Sequence, residues 1–224
     1  MRITLHGRGG HASMPDRLID PVVMAASTIM KLQTIVSREC DPWDTAVVTV
    51  ASVQAGDAEN VVVDDARIAV DVRTADPKTR EKVKKSIERI VKAECVASNA
   101  VKEPTFQTTR SFPLTVNDEE VTAKLEETFR SHFKEDKHNY TADMTKLGGS
   151  EDFSILGSAV GKPTSFFMYG GTGHEKWDAC EEEGTLSEKI PINHSGLFYP
   201  VIQPTLTTGT DGYVVGALTW LAKK

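Results

Sequence analysis

Cysteine is scarce in this sequence: Cys40, Cys95 and Cys180 are the three present, and no two stand at CxxC spacing. An odd, widely spaced set supports neither a disulfide framework nor a cysteine zinc site, and points to reduced thiols in a cytoplasmic protein. Positive excess is lacking too. Against 32 Asp and Glu stand 26 Lys and Arg, a net charge of −6, which argues against nucleic-acid binding, because that depends on clustered cations neutralising phosphates. No apolar run approaches the roughly 18 residues of a membrane-spanning helix. Met1–Leu5 alternates like a strand and does not resemble a secretory leader. Internal repeats and low-complexity tracts are likewise missing. What remains is ordinary globular composition, 39% hydrophobic and 26% charged, in a chain long enough for one large domain or two small ones.

The first half has a regular rhythm. Arg2 to His6 alternates as a strand. Asp20 to Arg38 is a helix, with Asp20 as N-cap, Pro21 at the first helical position and apolar residues at helical spacing. Thr45 to Val53 is rich in β-branched residues, and Ala66 to Arg73 places Ile68, Val70 and Val72 on one side of a strand. Pro77 to Ala97 is a second helix, basic outside, with Val83, Ile87, Ile90 and Val91 inward. Thr105 to Thr109 completes a β-α-β-β-α-β order, the split βαβ pattern of ferredoxin-like sandwiches.

Phe112-Pro113-Leu114 marks a boundary. After it come an amphipathic helix from Asp118 to Phe133, a Gly148-Gly149-Ser150 loop, a short helix near Glu151 to Leu156, and an apolar strand from Thr164 to Tyr169 ending in Gly170-Gly171. An irregular stretch over 172–192 precedes a final helix from about Leu206 to Leu221. This half has no self-contained sheet and reads as part of a larger α/β domain.

One stretch, GRGGHASMPD at 7–16, raises a chemical question. His11 lies between a glycine pair and a Pro15-Asp16 turn, on a loop whose glycines permit positive φ and close backbone approach. By residue type alone it is either a polar surface residue or a group meant to approach another surface.

A set of ordered blocks decides between these. GGHASMP (9–15), DP (20–21), VSR (36–38), AGDAENVV (55–62), VRT (72–74), GGSEDF (148–153) and NHSGLF (193–198) together resemble the metal-dependent aminoacylase and carboxypeptidase family, and within it the hippurate hydrolase and auxin-conjugate amidohydrolase branch. The resemblance implies an α/β chain in two parts. Residues 1–111 would be a ferredoxin-like (α+β) lid and dimerisation domain. Residues 112–224 would be the C-terminal part of an α/β di-metal hydrolase domain. The family's N-terminal catalytic segment, with its HxD or CxH motif and Glu-Glu pair, is expected to be missing from these residues.

The resemblance also implies roles. His11 would reach into a partner subunit's site and stabilise the tetrahedral oxyanion. Asn60 would contact the substrate carbonyl, or simply support a turn. Arg73 would hold the substrate carboxylate through its planar fork, or cap a strand end. Gly170 and Gly171 would bind substrate oxygens through backbone N–H groups. His194 would be a metal ligand, although one imidazole cannot hold a metal alone. Glu151 and Asp152 would orient metal-bound groups, or cap a helix. Glu181-Glu182-Glu183 reads as a solvated face, and His6, His132, His138, His174 and Trp177 are assigned nothing. The family's acidic pair before the final helix is replaced here by Tyr199 to Pro204, so the branch's substrate preference does not carry over.

The expected whole is a homodimeric amidohydrolase with a divalent metal pair, zinc or manganese, acting on N-acyl amino acids or small peptides, with no nucleic acid or membrane partner. This chain alone is expected to be inactive on them. The rivals are a truncated, non-catalytic dimerisation module and an amino-acid-binding ferredoxin-like sensor.

Overall fold

Two units divide the chain: Met1–Leu114 with Gly148–Ser150, and Thr115–Leu147 with Glu151–Lys224. The computed structural model describes residues 1–133, 140–142, 144 and 147–222, so His138 lies outside the described residues.

The first unit is built on strands β1 (Arg2–His6), β2 (Gly10–His11), β3 (Ala46–Gln54), β4 (Val61–Val62), β5 (Asp65–Thr74) and β6 (Thr105–Gln107), with helices α1 (Pro21–Thr34) and α2 (Pro77–Ala97). Its main sheet has the order β3-β5-β1-β6, and every neighbouring pair is antiparallel. That is the ferredoxin-like arrangement. Alternation turns Ile3 and Leu5 of β1, and Ala66, Ile68 and Val70 of β5, onto one fully buried face. Both helices pack there. Burying each of the Ile, Leu and Val side chains there contributes about 1.5–3 kcal/mol.

The helices begin where their caps dictate. Asp20 accepts the N–H groups of Val22 and Val23 at 2.8 and 3.4 Å, ahead of Pro21. Asp76 accepts the Thr79 N–H at 2.8 Å before α2. Helix α1 buries Met24, Ala25, Thr28 and Leu32; α2 buries Val83, Ile87, Ile90, Val91 and Cys95. The α-helical geometry expected up to Arg38 ends at Thr34 and widens to a π turn over Ile35–Glu39. Glu39 is held there from outside the helix, by Ser86 Oγ at 2.7 Å and Arg89 Nη2 at 2.6 and 2.7 Å.

The second unit contains α3 (Glu119–Phe133), α4 (Phe153–Ser158), α5 (His174–Glu182), α6 (Leu186–Lys189) and α7 (Thr205–Leu221). Asp118 Oδ1 accepts the Val121 N–H at 3.0 Å and starts α3. Helices α3 and α7 pack together. Phe129 of α3 makes edge-to-face contacts with Phe133, Tyr140 and Phe167 at centroid distances of 5.5, 6.2 and 5.1 Å. On α7, a Cβ at Gly209 would lie 2.9 Å from the Tyr169 ring, so the absence of a side chain lets ring and helix meet.

Two sequence expectations need correction. The stretch over 172–192 is not irregular, since it forms α5 and α6. Cys180 is the one buried residue of α5, so the sequence offers no apolar period to reveal that helix. Thr164 to Tyr169 is not a strand, because a strand needs a hydrogen-bonded neighbour. Instead, the Asn117 side chain accepts from the Phe166 N–H at 2.8 Å and donates to its carbonyl at 3.0 Å. The Asp118 N–H reaches the Thr164 carbonyl at 2.9 Å. Among the described residues, no helix is long and apolar enough to cross a membrane.

Candidate functional site

The glycine loop of the first unit is pinned by its backbone. The N–H groups of Gly7 and Gly9 donate to the Asp64 carbonyl at 2.8 Å and its Oδ1 at 2.9 Å. A Cβ on Gly9 would lie 2.5 Å from the Val62 carbonyl oxygen, and one on Gly7 would collide with the Ile19 carbonyl oxygen. Glycine is required at both positions because the backbones approach so closely.

Strand β2 then pairs with β4, with Gly10 opposite Val62 and His11 opposite Val61. One step further, the Ala12 N–H donates to the Asn60 carbonyl at 3.0 Å. His11 and Asn60 are thereby brought together on one small ribbon, both exposed. The imidazole is oriented locally: its Nδ1 lies 2.8 Å from Ser13 Oγ and 3.1 Å from the Ser13 backbone nitrogen.

Arg73 is near the end of β5 in the main sheet and partly exposed. Its Nε donates to Asp71 Oδ2 at 2.9 Å, and its Nη1 to the Gly148 carbonyl at 2.7 Å. Asp71 and Arg73 share a face because side chains two apart on a strand do. Sequence reasoning misses both Ser13 and Asp71, although each lies two positions from a named residue. That spacing is the one signal that could have found them.

The second unit holds the other predicted residues. His194 is exposed and has φ of +70°, a left-handed conformation. Such a backbone costs a non-glycine residue on the order of 1–3 kcal/mol and is concentrated at functional sites. Around it, the Ser195 N–H donates to the Ile192 carbonyl at 3.1 Å and the Leu197 N–H to Ser195 Oγ at 3.2 Å. The Gly171 carbonyl accepts the Val201 N–H at 2.9 Å, and a Cβ at Gly171 would lie 2.8 Å from Pro200, whereas Gly170 faces open space. Glu151 and Asp152 are exposed. Asp152 occupies the N-cap position of α4 but makes no side-chain capping bond, so capping does not account for it. Glu181, Glu182 and Glu183 are exposed. Glu183 pairs with Lys189, which holds its carboxyl below the usual range.

A metal centre does not assemble from these residues. Among the described residues, no group of three His, Cys, Asp or Glu side chains could hold an ion, and a catalytic site needs about three protein ligands. Among the described residues, His194 has no companion ligands. The three cysteines are free, and burial pushes the Cys95 thiol up to about 11, so it behaves as an inert apolar group.

This ferredoxin-like sheet with its glycine-loop histidine is that of a known module: residues 1–99 match the peptidase dimerisation domain, M20_dimer. Over those residues the chain carries the dimerisation domain of the M20 peptidases, and the relatives it matches are amidohydrolases, deacetylases and carboxypeptidases. It is 36% identical over 167 residues to IAA-amino acid hydrolase ILR1-like 4 of Arabidopsis thaliana, covering 72% of this chain and 37% of that protein. It is 47% identical over 95 residues to N-acetyldiaminopimelate deacetylase of Anoxybacillus flavithermus, covering 42% of this chain and 25% of that one. A Bacillus subtilis crystal structure, of a dinuclear metal-binding M20 peptidase, shares the fold with a TM-score of 0.62 at 21% identity. The match covers 97% of this chain and 48% of that one. The chain thus spans between a quarter and a half of the lengths of these relatives, which are hydrolases.

Proposed function

We propose that residues 1–111 are the lid and dimerisation domain, and residues 112–224 the C-terminal part of the catalytic domain, of a metal-dependent amidohydrolase. In its complete form that enzyme cleaves the amide bond of N-acyl amino acids or small peptides. The observation that carries this reading is the ribbon joining His11 to Asn60. It brings the backbones of His11 and Asn60 together with both residues exposed, and in this reading a substrate carbonyl meets their two side chains. Preorganised donors aimed at a developing oxyanion lower a reaction barrier more than most other devices an enzyme has. In this reading His11 serves the partner subunit's site, Asn60 contacts the carbonyl, and Arg73 takes the carboxylate through Nη2, its Nε and Nη1 being engaged by Asp71 and Gly148.

In the second unit, Gly170 and Gly171 would offer backbone N–H groups, Glu151 and Asp152 would orient bound groups, and His194 would be one ligand of a zinc or manganese pair. The free cysteines support a reducing, cytoplasmic setting. The homodimer would form through β3, the nine-residue edge of the sheet, whose Val47 and Val53 are exposed. The opposite edge, β6, has three residues. Unpaired edge strands are templates for pairing with another chain.

The test is steady-state kinetics on this chain completed with the family's metal-holding segment. His11→Ala should lower kcat about 10²–10³-fold, the loss expected for one oxyanion donor, and unchanged turnover would sink the reading. A second reading, a non-catalytic dimerisation module, is favoured by one observation: the described residues hold no metal-binding cluster. Dimerisation with no turnover after completion would establish it.

A further inference from the structure

We propose that Ser13 is a positioning residue for His11, holding Nδ1 as an acceptor so that the neutral ring carries its proton on Nε2 and turns that N–H outward. Two donors converge on Nδ1: the Ser13 N–H at 3.1 Å and Ser13 Oγ at 2.8 Å. The hydroxyl can donate or accept; beside the backbone donor it takes the donating role and supplies the shorter of the two bonds, so its loss weakens the hold on this ring form. A backbone N–H can only donate, so it selects the ring form whose Nδ1 is bare. A neutral imidazole has one N–H and one lone pair. With the lone pair at Nδ1, the proton must be on Nε2.

The loop keeps the Ser13 N–H aimed inward by using up the amides beside it. The Ala12 N–H goes to the Asn60 carbonyl at 3.0 Å and the Met14 N–H to the His11 carbonyl at 3.0 Å. The ribbon pairing of His11 with Val61 fixes the backbone from the other side. Among the described residues Nε2 has no partner, so its N–H is available to an acceptor from outside. An oxygen gaining negative charge is such an acceptor. The catalytic meaning of this arrangement rests on the proposed function; the ring form itself does not.

Long-range ¹H–¹⁵N correlation spectra of the ¹⁵N-histidine-labelled chain, taken at a pH where the ring is neutral, read the tautomer directly. The His11 signals are assigned by their loss in His11→Gln. The expected result is the pattern of a ring protonated purely at Nε2. In Ser13→Ala the backbone donor remains but the hydroxyl is gone, so the ring should loosen and its signals shift toward the averaged pattern of free imidazole. Ser13→Thr should restore the pure pattern. A proton on Nδ1 in the unaltered chain, or a Ser13→Ala spectrum identical to it, would overturn the assignment. In the completed enzyme, Ser13→Ala should lower kcat while leaving KM in place, and Ser13→Thr should restore it. If the spectra hold but neither His11→Ala nor Ser13→Ala affects turnover, the catalytic reading falls and the positioning role stands.

Discussion

The Glu39 carboxylate takes Arg89 Nη2 on both oxygens, at 2.6 and 2.7 Å, and ties the π turn after α1 to the middle of α2. Ser86 Oγ adds a third bond at 2.7 Å. Together, led by the Arg89 hydrogen bond, these hold the Glu39 carboxyl below its usual range.

The consequence is a pH-dependent increment of stability. A carboxyl depressed in the folded state stabilises fully above its unfolded value, and the gain is lost as pH falls through the folded value. Glu39→Gln should therefore cost about 0.5–1 kcal/mol at neutral pH, a size limited by the exposed Arg89 partner. Urea unfolding of both chains checks this: the difference should be present at neutral pH and vanish in strong acid.

Replacing Gly9 with alanine should separate β2 from β4, because the added Cβ would lie 2.5 Å from the Val62 carbonyl oxygen. A cost of about 1–3 kcal/mol is expected for such overpacking. Amide exchange at Gly10 and His11 should accelerate in the variant. A thermal midpoint and exchange rates matching the parent would contradict the close approach.

Leu5→Ala removes a side chain with 0% exposure from the sheet's covered face, and should cost about 2–5 kcal/mol. Its neighbour Thr4 points to the opposite face, so Thr4→Ala should change stability by less than about 0.5 kcal/mol. Equilibrium unfolding of the pair separates the two faces.

Because no metal cluster assembles among the described residues, the purified chain should retain substoichiometric zinc or manganese after dialysis. Chelator-sensitive hydrolysis of N-acetyl amino acids should be absent. Elemental analysis and a metal-supplemented assay check both halves.

Pairing through β3 predicts that Val47→Lys with Val53→Lys, at two exposed positions, yields a folded monomer, since lysines on an edge strand oppose pairing. Sedimentation velocity should show a dimer for the parent chain. A variant that stays dimeric would move the interface elsewhere.

The sequence made the first unit legible because each of its elements announces itself through a local rule. Asp20-Pro21 and Asp76-Pro77 start helices that bury one apolar stripe each, and the Ile68-Val70-Val72 alternation marks a half-covered strand. The β2–β4 ribbon has two residues on each side, too few for any period to show, and it is held by glycine approach and backbone bonds to Asp64 and Asn60. His11 and Asn60 could be named from motif resemblance, but their adjacency and the Ser13 contact exist only in three dimensions. In the second unit, Thr164 to Tyr169 has the composition of a strand, yet composition supplies no neighbour.

The Asn117 amide, bonded to both the N–H and the carbonyl of Phe166, stands in for one peptide of an adjacent chain segment. Deuterium uptake along 163–171 should consequently be uneven, with a single retarded amide at Phe166 among faster neighbours. Changing Asn117 to alanine would erase that lone slow signal and leave α3 and α7 as they are.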